Sequence, residues 1–105
     1  ILDAGCGEGE LMRRGVLPAG AKVISLDLRP ESLAHFRSHS AHRNQVCGSL
    51  AALPLPDKSV DTVVCLEVLE HLDNPAVAVA ELARVARRRT PVGLETWAAF
   101  GHHGR

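Results

Sequence analysis

Residues 1–9, Ile1-Leu2-Asp3-Ala4-Gly5-Cys6-Gly7-Glu8-Gly9, run from an apolar strand end directly into a Gly-x-Gly-x-Gly turn. This junction constrains the fold more than any other stretch. Alternating glycines let the backbone take positive φ and leave space where a side chain would collide with a bound small molecule. A second apolar run, Lys22 to Leu26, ends in Asp27, twenty residues after Gly7. That is the spacing at which an acid following the next strand reaches a ribose diol. Together the turn and the acid predict an adenosine-containing cofactor.

The rest of the chain supports an alternation of strands and helices. Glu10 to Arg14 reads as a short helix stopped by Gly15, and Lys22 to Asp27 as the second strand. Pro30 suits the first position of a helix that continues through Leu33 and Phe36 to Ser38. Gln45 to Gly48 predicts a third strand, and the β-branched run Val60 to Leu66 a fourth, buried on both faces. Between them Leu53-Pro54-Leu55-Pro56-Asp57-Lys58-Ser59 is a proline-stiffened loop. Asn74-Pro75 is expected to cap a last helix with Val77, Val79, Leu82, Val85 and Ala86 on its apolar side. This order predicts an α/β fold: a Rossmann-like, open, mostly parallel sheet with flanking helices. The chain starts inside a strand, so the expectation is a fold truncated at both ends.

Composition narrows the partners. Twelve basic and twelve acidic residues give a formal net charge of zero, and aromatic residues are 3% of the 105. Neither an overall positive field nor a stacking platform is available, so nucleic acid is not expected as a partner. No apolar run is long enough to cross a bilayer, so no membrane association is expected, and the expected location is cytoplasmic. Cys6, Cys47 and Cys65 are widely spaced without a C-x-x-C pair, as in a reduced cytosolic chain. His35, His39 and His42 could share a helix face, but without a carboxylate or thiol partner they read as a solvated face and no metal is expected. The arginines from Arg84 to Arg89 read as a solvated helix end. Nothing in the sequence speaks to oligomeric state.

With these residues in place, the chain resembles the class I S-adenosylmethionine-dependent methyltransferases, in their small-molecule, type 11-like branch. Leu2 to Gly9 is similar to that family's L-D-x-G-C-G-x-G opening, Leu53 to Asp61 to its L-P-F-x-D-x-S-F-D segment, and Cys65 to His71 to its E-V-L-E-H turn. The resemblance covers residues 1 to about 88 and implies an S-adenosyl-L-methionine-binding core there, followed by a divergent tail over 89–105. It implies cofactor contacts at Asp3, Gly5, Cys6, Gly7, Asp27, Leu28, Ser49, Leu50 and Cys65, with Asp3 near the ammonium group, Asp27 on the ribose and Leu28 on the adenine face. It also implies methyl transfer to a small-molecule acceptor. Two departures stand out: Ser49 occupies the place of the family's usual adenine-binding Asp, and Val92 to Trp97 stands where a β-branched fifth strand is usual.

The catalytic residue is left open. His71 follows the cleft-side turn and is the candidate base, against a role in packing that turn. A non-catalytic remnant or an S-adenosylmethionine-binding interaction module is the alternative function. A nicotinamide-dependent oxidoreductase is disfavoured, because position 10 is Glu and the dinucleotide fingerprint lacks its third glycine.

Overall fold

The computed structural model describes residues 1–65 and 69–87. Leu66, Glu67 and Val68, and the proposed fifth strand from Val92 to Trp97, lie outside the described residues. Four parallel strands form one sheet in the order β3-β2-β1-β4: β1 Leu2–Ala4, β2 Ile24–Asp27, β3 Gln45–Cys47 and β4 Val63–Cys65. The helices are α1 Glu10–Arg14, α2 Pro30–Ser38 and α3 Pro75–Val85, with a 3-10 turn at Leu69–His71. The expected open, parallel α/β sheet with flanking helices is therefore present. The chain steps outward from β1 to β2 to β3 and then returns to the other side of β1. The reversal opens a crevice at the carboxyl ends of β1 and β4, the place where open α/β sheets bind ligands.

Register explains how the two sheet faces divide. In parallel strands, partners in register point to the same side. Leu2, Ile24 and Val63 are in register, as are Ala4, Leu26 and Cys65. Together they form an apolar face that packs with Leu50, Leu53, Val60 and Leu69 and with Ala78, Leu82 and Val85 of α3. Asp3, Ser25 and Val64 share the other face. There Phe36, 2% exposed, packs with Leu33 and Cys6, and Ser25 lies 3.1 Å from Nε2 of His42. Burying Phe36 contributes about 2–3 kcal/mol of transfer free energy.

Several local expectations change. The buried stripe of α3 is Ala78, Leu82 and Val85, whereas Val77 and Val79 are 40% and 39% exposed. The i, i+4, i+7 spacing selects one face, and a valine one residue off that stripe is rotated about 100° away from it. Asn74 occupies the N-cap position without a side-chain capping bond; its carbonyl accepts the Val77 amide at 3.2 Å instead. Val60 does not extend β4 but bridges to Ala86, with the Arg87 amide donating to its carbonyl at 2.7 Å. The start of β4 is thereby tied to the end of α3.

Gly9 also has a different role from the one its turn suggested. Its φ is +94°, and a Cβ there would stand 2.6 Å from the Phe36 ring. The glycine makes room for α2, not for a ligand. Gly9→Ala combines strain with overpacking and should lower unfolding free energy by roughly 2–3 kcal/mol, with Gly9→Ala/Phe36→Leu recovering part of the loss. Urea denaturation showing Gly9→Ala as stable as the parent would contradict this packing.

Candidate functional site: a cleft at the carboxyl ends of the strands

A cleft of about 970 Å³ lies at the sheet's reversal point. Its floor is the glycine turn, one side is built by Asp27, Leu28 and Gly48 to Ala51, and the other by His71 to Asn74 with Val77 and Ala78. Seven of the nine expected cofactor residues line it: Gly5, Cys6, Gly7, Asp27, Leu28, Ser49 and Leu50. Asp3 and Cys65 do not. Cys65, 2% exposed, sits in the apolar cluster beneath α3, whereas Asp3, 3% exposed, lies on the opposite face of the sheet. Sequence reasoning missed Val77, which it assigned to the core, Ala78, which it did not single out, and Arg29, which follows Asp27 closely enough to signal proximity.

The turn after β1 is shaped by β2. The Gly5 and Cys6 amides both donate to the Leu26 carbonyl at 2.8 Å, and the Gly7 amide donates to Oδ1 of Asp27 at 3.2 Å. Oδ2 of Asp27 accepts from the Arg29 amide at 3.1 Å and from Nε of Arg29 at 3.4 Å. Asp27 is thus held by its own chain, yet a carboxylate offers about four acceptor positions, and these donors leave capacity for hydroxyls from the cleft. Gly7 has φ +57°, and a Cβ there would meet no atom within 4 Å. That space is where the backbone lies open to a ligand.

Asp3, which does not line the cleft, is an unusual charge beside it. Its Oδ2 is buried and has no hydrogen-bond partner. Burial raises the carboxyl from 3.8 to about 6, and the neighbouring Asp27 carboxylate adds to the shift. Burial, then Asp3 and Asp27, likewise pushes the Cys6 thiol up to about 12, so Cys6 stays neutral and packs as a small apolar group. Two acids so close, one with an orphaned oxygen, form a place that a cationic group would stabilise.

The rim carries the remaining polar groups. Leu28 is 65% exposed and presents an apolar surface beside Asp27. Oγ of Ser49 accepts the Ala51 amide at 3.0 Å, which engages part of its hydrogen-bonding capacity locally. Arg13 is bound to the Glu8 carbonyl at 2.8 Å and to Glu10 at 2.6 Å. His71 is exposed and lines the cleft. The three helix histidines do not form a shared face: α2 ends at Ser38, His35 stacks on His39 at 4.3 Å, and His42 turns inward onto Phe36. Among the described residues no group of three or more His, Cys, Asp or Glu is placed to hold a metal.

A parallel sheet with glycines at its reversal point and an acid closing the next strand is the nucleotide-binding class of α/β architecture. The family model of the methyltransferase domain matches residues 2–90, and the chain belongs to this family. A Mycolicibacterium smegmatis protein named "Probable S-adenosylmethionine-dependent methyltransferase" is 42% identical over 87 residues, covering 83% of this chain and 34% of its own length. The ubiquinone biosynthesis O-methyltransferase of Alkalilimnicola ehrlichii is 37% identical over 94 residues, covering 83% of this chain and 37% of its own. The solved structure of YcgJ from Bacillus subtilis matches with a TM-score of 0.70 at 29% identity, over 81% of this chain and 38% of that one. The chain thus spans about a third of the length of these relatives. Among the described residues no helix is long and apolar enough to cross a membrane.

The Asp3 environment has a measurable signature. Between pH 4 and 6 the unfolded chain has released a proton that folded Asp3 still holds, so this group makes stability fall as pH rises through the window and level off above it. Asp3→Asn removes the buried charge. The stability difference between the variant and the parent should grow in the variant's favour from pH 4 to 6, reaching roughly 1–3 kcal/mol at pH 8. Urea titrations giving a pH-independent difference would contradict the assignment.

Proposed function

We propose that this chain is the cofactor-binding core of an S-adenosylmethionine-dependent methyltransferase acting on a small-molecule acceptor. The observation that carries the reading is the pair of acids under the open glycine turn: Asp27, partly satisfied by the Gly7 and Arg29 amides, and Asp3, with Oδ2 orphaned. A ligand with both a sugar diol and a cationic end suits that pair. When bound, S-adenosylmethionine supplies a methyl group on a sulfonium that is already activated for transfer.

The chain's own residues have limited tasks. Asp27 accepts ribose hydroxyls through charge-assisted hydrogen bonds, roughly twice as strong as neutral ones. Asp3 contributes negative charge, Gly5 and Gly7 allow close backbone approach, and Leu28 and Leu50 supply apolar surface to the base. Ser49 borders the same side with its hydroxyl engaged by Ala51. Cys6 packs beneath the turn, and Cys65 acts from the core by setting the position of the end of β4. Methyl transfer needs alignment and exclusion of water more than proton chemistry, and a cleft lined by Leu28, Leu50, Val77 and Ala78 suits both. His71 lines the cleft, which supports it as the candidate base for an acceptor that must lose a proton. The three cysteines form no disulfide, which suits a reducing, cytoplasmic setting.

Calorimetric titration of the full chain with S-adenosylhomocysteine tests the reading. The parent should bind at micromolar ligand, and Asp27→Ala should weaken binding at least a hundredfold, since it removes the sugar acceptor and releases the Gly7 amide. Absence of binding by the folded parent, or an unaffected Asp27→Ala, would refute it. Binding of the homocysteine without transfer from S-adenosylmethionine to any acceptor would favour a binding module over an enzyme.

A further inference from the structure

The segment between β3 and β4 forms one wall of the cleft; Leu50 and Leu53 pack on the sheet's apolar face, but residues 49–57 pair with no strand of it. Gly48 to Ala51 line the cleft, and the chain then passes through Leu53 to Asp57 before reaching β4. Pro54 and Pro56 have no amide hydrogen, so this loop has few donors with which to anchor itself. At the near end the Gly48 amide donates to the Asp27 carbonyl at 3.0 Å. Within the wall, Ser49 and Ala52 close a tight turn, the Ala52 amide donating to the Ser49 carbonyl at 3.2 Å.

The anchor at the far end comes from α3. The Leu53 amide donates to Oε1 of Glu81 at 2.7 Å. Arg84 donates from Nη2 to the Leu53 carbonyl and from Nη1 to the Leu55 carbonyl, both at 3.0 Å. The same guanidinium grips Glu81 through Nε to Oε2 at 2.8 Å and through Nη2 to Oε1 at 3.1 Å, and reaches Asp57 at 2.6 Å. Arg84 holds the Glu81 carboxyl below its usual range, with the Leu53 amide assisting. Asp57 is largely in water, with 74% of its side chain exposed, so that contact is screened and contributes little. The two backbone carbonyls and Glu81 are the structural partners. This revises the reading of Arg84 as part of a solvated helix end.

The same helix also supplies the opposing wall, because Val77 and Ala78 precede Glu81 by one turn and line the cleft. Neither Glu81 nor Arg84 lines it. We propose that Glu81 and Arg84 are positioning residues that set the width of the cofactor cleft by tying its 48–51 wall to α3; the cofactor itself rests on the functional reading above. A planar guanidinium is required, since an ammonium lacks the fork that reaches two carbonyls and a carboxylate at once.

The test pairs ligand affinity with local opening in Arg84→Lys, using Asp57→Ala as a control. S-adenosylhomocysteine is titrated into each full-length protein well below its unfolding midpoint, and amide hydrogen exchange is followed across the chain. Arg84→Lys should bind roughly tenfold more weakly, the scale on which residues without ligand contact modulate a site. Exchange should accelerate at amides 48–53 while those of β1 and β2 keep their rates, and Asp57→Ala should stay within about twofold of the parent in affinity. Unchanged affinity and unchanged exchange in folded Arg84→Lys would overturn the proposal. So would acceleration spread evenly over the chain, which is the mark of a general stability defect. A parent that fails to bind S-adenosylhomocysteine would refute the cofactor reading, and the exchange data would still decide the tether.

Discussion

The carboxylate of Asp27 is the contact on which the cleft depends. It stands at the end of β2, takes the Gly7 amide on one oxygen and the Arg29 amide on the other, and so fixes the turn after β1 and the start of the segment leading into α2. Without an acceptor at this point the Gly7 amide would face the cleft unsatisfied. The same oxygen atoms retain acceptor capacity at the lining of the cleft, so the residue that builds the turn is also suited to the proposed cofactor. Under the proposed function, structural support and binding would be two uses of one carboxylate.

Placing Asp3 beside it is electrostatically unfavourable, and the sheet explains why it is tolerated. Register puts Leu2 and Ala4 into the apolar layer under α3, and strand alternation then forces Asp3 onto the other face, beside Ser25. That face carries the polar groups: Ser25 with His42, and the glycine turn above. A buried acid there is a cost to folding at neutral pH, which makes its presence informative. Under the proposed function, a ligand of opposite sign would offset that cost.

The fold and most of the floor of the cleft were legible in the sequence because they depend on local signals. Glycines after an apolar run, an acid at the end of the next strand, and Pro30 at the start of α2 each act within a few residues of where they stand. What escaped depends on contacts far along the chain. Gly9 looks like Gly7 in sequence, and only the approach of Phe36, 27 residues later, separates a packing glycine from a ligand-facing one. Val77 and Val79 look like core residues because they are β-branched and apolar. Yet the stripe is set by Ala78, and a small residue is a weak signal for burial. Arg84 sits in a basic run, so its role as an acceptor-gathering anchor could not be read without knowing that Leu53 and Leu55 lie across from it.

These long-range contacts share a physical logic. A cleft at a sheet's reversal point has walls from segments that no strand pairing holds, because the sheet ends where the cleft begins. Beyond the burial of Leu50, the 48–51 wall therefore borrows rigidity from its two ends, the Asp27 carbonyl and the side chains of Glu81 and Arg84. The prolines of the loop add stiffness without amide donors, so the carbonyls at 53 and 55 depend on donors from elsewhere. A guanidinium on a packed helix, two residues beyond Leu82 of the core, provides them, with its plane held by Glu81. Preorganisation of this kind lets a short chain present an open cleft without letting it collapse, and it links the geometry of the floor, set by Asp27, to that of the walls, set by α3.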